Sequence, residues 1–120
     1  MKRLLFVVFP LLVVSLMVVA QATAQEDDAC THDEATVEAL RECVEHAIAM
    51  GHIDANVAPS LLAMLDAAQG AVDRGQDGVA VTLLMAFIRE VEAQAGKRIP
   101  EEHASHLIAH AQDVIDELST

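Results

Sequence analysis

The sequence predicts an all-α protein, a compact antiparallel bundle of about four helices behind a cleaved signal peptide. Three observations carry that expectation. Beyond Asp33, apolar residues recur at three- and four-residue steps in four successive stretches, as one face of a helix requires. Glycine or proline stands at the joins between those stretches. Nowhere do apolar and polar residues alternate with the period of two that marks a half-buried strand. At 120 residues the chain makes one core, and short connectors favour helices packed as antiparallel neighbours.

The first residues belong to export and not to the fold. Lys2 and Arg3 give a positive start, and Leu4 to Ala20 is apolar except for Ser15 and a break at Pro10. Two small-residue sites follow, Ala20-Gln21-Ala22 and Ala22-Thr23-Ala24, and the acidic Gln25-Glu26-Asp27-Asp28 favours the second. The expected division is therefore a signal peptide over residues 1–24, an acidic N-terminal arm over 25–32 and a single helical domain over 33–120. An uncleaved anchor is the rival, since about 17 apolar residues is the lower edge of a bilayer span. A lipid anchor has no support, because Asp27-Asp28-Ala29 precedes Cys30 in place of a Leu-small-small run.

Export places Cys30 and Cys43 where disulfides persist, and two cysteines close one bridge. On one continuous helix they would stand roughly 20 Å apart, against the ~6 Å Cα separation of a disulfide. A helix starting near Asp33 or Thr36 leaves Cys30 on an arm that can fold back to Cys43. A start at Thr31, with Glu34 completing a capping box, would separate them and imply an intermolecular bridge or free thiols. The spacing is not C-x-x-C and the neighbours are acidic, which argues against redox catalysis.

Within the domain, Val37, Leu40, Val44 and Ile48 form the first apolar stripe, ended by Gly51. Asn56 is the expected cap of a second helix, with Pro59 in its first turn and Leu61, Leu62, Leu65, Ala68 and Val72 inward, stopped at Gly75. Asp77 is the expected cap of the third, whose stripe is Ala80, Leu83, Leu84, Phe87, Ile88 and Val91, with Gly96 as terminator. Val79, Val81 and Met85 widen its apolar arc, so it is either the central helix or a dimer face. Pro100 suits the first position of the fourth, followed by Glu101 and Glu102 at the positive helix end and by Ala104, Leu107, Ile108, Ala111, Ile115 and Leu118. The core expected from these stripes centres on Leu61, Leu65, Leu84, Phe87, Ile88, Val91, Leu107 and Ile108.

The last helix also carries His103, His106 and His110, which at about 100° per residue fall within about 60° of one another. Asp113 and Glu117 continue that line. Such a stripe is most often solvated histidine beside the core; the sharper reading is a site for one divalent zinc, copper or nickel ion, with His46 and His52 as distant partners. A surface sensitive to pH is a third, weaker reading.

Removing the leader leaves 5 basic against 19 acidic residues, a net charge of −14 with histidines neutral. Phosphate backbones repel such a chain, and it has no Trp, no Tyr and, past the leader, only Phe87 to stack on a base or sugar. High acidity also keeps a small exported domain soluble.

Four segments carry a family resemblance. The run Ser60-Leu61-Leu62-Ala63-Met64-Leu65-Asp66-Ala67-Ala68, with Arg74-Gly75, precedes Ala86-Phe87-Ile88-Arg89-Glu90-Val91 and Ala95-Gly96-Lys97-Arg98-Ile99. Together with Ala104, Leu107-Ile108 and Ala111 they resemble the FIMAH domain over roughly Leu40 to Leu118. The resemblance implies a small helical module of secreted bacterial surface proteins and hydrolases, acting as an accessory or interaction unit, and it brings no catalytic residues. This copy departs from the pattern in placing Pro100 where a Ser or Thr cap is expected, and in standing without an enzyme ahead of it.

The function expected is that of an exported, non-catalytic interaction module, periplasmic or extracellular, binding another exported or surface protein through an apolar patch on the second and third helices. Neither G-x-S-x-G nor H-E-x-x-H occurs, and serines are sparse, so no enzyme is expected. No cofactor is expected either, unless the histidine stripe takes a divalent metal, which is the alternative function. Nucleic acid and stable membrane insertion after cleavage are excluded as expectations, and a homodimer is allowed. A single helical hairpin of the tetratricopeptide kind is too little for a solenoid.

Overall fold

The computed structural model describes residues 34–120; the expected signal peptide, the acidic arm and Cys30 lie outside the described residues. Four helices follow one another: α1 (Val37–Ala49), α2 (Ala58–Asp73), α3 (Asp77–Gln94) and α4 (Glu101–Leu118), and there is no strand among the described residues. Each helix packs on its two neighbours in the order α1, α2, α3, α4 and back to α1, and the backbones of the diagonal pairs stand farther apart. This is the up-and-down bundle that short connectors enforce.

Local chemistry accounts for most of the boundaries. The Thr36 hydroxyl accepts the Ala39 N–H at 3.1 Å and opens α1, which settles the start at Thr36 over the one at Thr31. At the other end Gly51, at φ +80°, closes α1: its N–H donates to Ile48 O and the His52 N–H to Ala47 O. Gly75, at φ +72°, repeats the device on α2, with the Gln76 N–H reaching Ala71 O at 2.8 Å. Both are Schellman closures, which need a left-handed residue that glycine adopts without a Cβ penalty.

Two expected caps are corrected. Asn56 does not cap α2; Asp54 organises the turn before it, its side chain accepting the Asn56 N–H at 2.8 Å and its carbonyl accepting from Val57 and Ala58. An Asx turn has taken the place of a side-chain cap because Asp54 can bond two residues ahead. Asp77 is the first helical residue of α3, after Gln76, and makes no capping bond; its charge still lies in the first turn, where the helix dipole favours it. Pro59 stands in the first turn of α2 as expected, and Pro100 immediately precedes α4.

The core is one cluster. Leu61, Leu65, Leu84, Phe87 and Val91 are fully enclosed and Leu107 nearly so. Ile88 and Ile108 are only half-buried and pack against its flank, because each sits at the edge of its helix's inward arc. Leu40, Val44, Ile53, Val57, Ile99 and Val114 complete the interior, and one polar side chain joins them, His110. The α3 helix makes the most extensive contacts, with α2 and α4, yet its outer face is left open.

Candidate functional site

The three histidines of α4 go three different ways. His110 is fully buried, and its Nε2–H donates to the Glu34 carbonyl at 3.0 Å, so the ring ties the residue just ahead of α1 to the middle of α4. His106 is exposed. His103 is half-buried and stacks on His52, with ring centroids 4.0 Å apart and planes 20° from parallel. His46 is exposed in the last turn of α1.

Helical spacing alone placed the three rings on one line; packing against α1 and the α1–α2 loop then drew two of them inward to separate partners. Among the described residues no three His, Cys, Asp or Glu side chains gather in a way that could hold a metal ion. In-plane lone pairs of two near-parallel stacked imidazoles also run side by side and do not converge on one ion at the ~2.0–2.1 Å a metal needs. The geometry therefore does not bring His103, His106 and His110 together as a ligand set.

The stack belongs to a braced end of the bundle. Here the α1–α2 loop meets the α3–α4 loop, joined by the Asp54 N–H donating to Arg98 O at 3.1 Å. The Gln94 carbonyl accepts from the N–H groups of Lys97, Arg98 and Ile99, and the Gly96 N–H, at φ +74°, donates to Ile99 O at 2.8 Å. Ile53, Val57 and Ile99 are buried beneath these loops. Sequence periodicity could not find the His52 and His103 contact, because His52 lies just past a helix stop, outside any repeating pattern.

Two further surfaces stand out. Val79 and Met85 are 48 % and 45 % exposed on α3, on the two flanks of its outward side, about 120° apart around the helix. Between the start of α1 and the end of α2 lies a groove of about 440 Å³ lined by Val37, Glu38, Arg41, Gln69 and Asp73. Three of its polar groups are engaged: Arg41 pairs with Glu45 at 2.7 Å and with Asp66, and Gln69 donates to Asp73 at 2.9 Å. Cys43, buried on α1, is disulfide-bonded.

With the bundle, its caps and its loop closures in view, comparison with known families is decisive. The family model of the FIMAH domain matches residues 37–116. This chain belongs to the FIMAH family. The match opens on the first residue of α1 and closes in the last turn of α4, so the four-helix bundle is itself the FIMAH unit, a helical module of surface proteins. No curated protein and no solved structure matches this FIMAH chain. Among the described residues no helix of the FIMAH domain is long and apolar enough to cross a membrane.

Proposed function

We propose that this FIMAH chain is an exported, non-catalytic interaction module that binds another exported or surface protein through the outer apolar face of α2 and α3. The observation that carries the reading is the exposure of Val79 and Met85 on α3, the helix whose inner face is otherwise the most extensively packed. Ala63 and Ala67 are exposed on α2, with little side-chain bulk. A helix that turns large apolar groups to water on one side and to the core on the other has a second face to cover.

Export is supported by the positive start, the apolar run and the Ala22-Thr23-Ala24 site, and the bridge at Cys43 suits an oxidising compartment. We take Cys30, the chain's other cysteine, as the partner in that bridge. The acidity leaves nucleic acid outside the partner class.

The test places a photo-crosslinking amino acid at Met85, with a control at Glu117 on α4, and irradiates the producing culture. A discrete protein adduct at Met85 and none at Glu117 is expected; irradiation that yields none at Met85 overturns the reading. The intact mass of the recovered chain should show cleavage after Ala24 and loss of two hydrogens for the Cys30 and Cys43 bridge.

A further inference from the structure

Two contacts fix where the chain ahead of α1 enters the bundle. The Glu34 carbonyl accepts from His110 at 3.0 Å, in the middle of α4, so the chain at that point lies beside the helices and not beyond their ends. Cys43, buried on α1 nearly two turns past Val37, is bridged, and Cys30 is the other cysteine of the chain. Helix geometry places Cys43 on one side of α1. Arg41, which pairs with Asp66, faces α2; Cys43 stands about 160° away around the helix, on the flank toward α4. The facing flank of α4 carries His110, with His106 and Asp113 within about 60° of it. None of Cys43, His106, His110 and Asp113 is without a partner.

We infer that the acidic segment of residues 25–33 lies along the seam between α1 and α4, held there by the bridge to Cys43, and that reduction of the bridge releases it. The inference rests on the Cys30 and Cys43 bridge taken above and is independent of the partner on α3.

Connectivity selects the occupant. Cys30 precedes Glu34 by four residues, which span about 13–14 Å when extended. Cys43 lies about 9 Å along α1 from its first residue, and a disulfide holds its two Cα atoms within about 7 Å. Four residues leading away from the bundle cannot meet that cysteine, whereas four residues turned back along α1 can. Both anchors of this stretch, the Glu34 bond and the Cys43 bridge, stand on the α4 side of α1, so the stretch between them closes over that seam.

Charge opposes the docking and makes the covalent link decisive. Of the chain's 19 acidic residues, Glu26, Asp27, Asp28 and Asp33 fall in the segment, which has no basic residue. Lys2 and Arg3 also precede residue 34, so the domain carries 15 acidic against 5 basic residues. Asp113 stands on the seam itself, with Glu117 one turn farther along. Like charge therefore drives the segment away once the bridge opens. A dithiol reductant opens it: the S–S bond takes up two electrons and two protons, Cys30 and Cys43 become thiols, and the reductant closes to its own disulfide. An oxidising compartment keeps the segment closed. Reduction uncovers the flank of α4 that bears His106, His110 and Asp113.

The test places a photo-crosslinking amino acid at Ala29 of the full chain, and separately at Asp27, farther from the bridge. Irradiation is expected to join the segment to α4 of the same chain, between His103 and Glu117. Reduction with a dithiol, or the C30S variant, should lower that adduct about ten-fold, the change in occupancy that a potential of a few kT produces. Circular dichroism followed alongside should show the helices retained in both. An adduct on α2 or α3, an adduct between two copies, or none at either position overturns the inference. So does an α4 adduct undiminished by both reduction and C30S, and so does loss of the helices on reduction, which would make the bridge a staple of the fold. Intact mass separates the two readings: two free thiols would remove the bridge and the inference with it, whereas a bridged chain that cross-links elsewhere loses the inference alone. The Met85 cross-link stands in either case.

Discussion

His110 shows how much the fate of one side chain depends on what packs beside it. Three rings on one helical line end in a fully buried hydrogen bond, an exposed position and a ring stack. Replacing His110 removes a core volume and leaves the Glu34 carbonyl without its ring donor, so His110→Ala should cost about 2–3 kcal/mol. His106→Ala, on an exposed ring, should cost less than about 1 kcal/mol. Urea denaturation of both variants checks this, and equal losses at the two positions would contradict the assignment of His110 to the core.

At the scale of the element, the boundaries depend on backbone conformation more than on the side chains that usually announce them. Gly75 and Gly78 sit three residues apart with opposite requirements. An added Cβ would meet nothing within 4 Å at either position, so contact plays no part in the comparison. Gly75 adopts φ +72°, where an L-residue is strained, and Gly75→Ala should destabilise by about 1–2 kcal/mol. Gly78 is inside the first turn of α3, where alanine loses less entropy, and Gly78→Ala should stabilise by up to about 1 kcal/mol. For a domain of this size each kcal/mol moves Tm by about 4–8 °C, so the two melts should shift in opposite directions.

Across the whole molecule, the loop end is braced by contacts between segments distant in sequence. The His52 and His103 stack and the bond from the Asp54 N–H to Arg98 O join the first connector to the last, closing the ring of helices at one end. A double-mutant cycle of His52→Ala and His103→Ala should return a coupling of about 0.5–1.5 kcal/mol, the usual worth of an aromatic pair beyond its buried area. Additive losses would mean that the rings are neighbours without an energetic link.

Much of this was legible in the sequence because helices declare themselves locally. The stripes through Leu61, Leu65, Leu84, Phe87 and Leu107 name the inward faces, and Gly51, Gly75 and Gly96 mark the stops, since a period of 3.6 and a positive φ are properties of short segments. The sequence also sufficed for the FIMAH family, whose pattern lies along those same helices. Tertiary structure alone decided the rest. Ile88 and Ile108 fell to the flank, Ile53, Val57 and Ile99 entered the core from loops, and the histidine line of α4 divided between a stack on His52, an exposed position and a bond to Glu34. The physical reason is common to all of these: burial at the edge of a helix, and every loop contact, depends on which neighbour stands opposite, and that neighbour is up to 76 residues away in the chain.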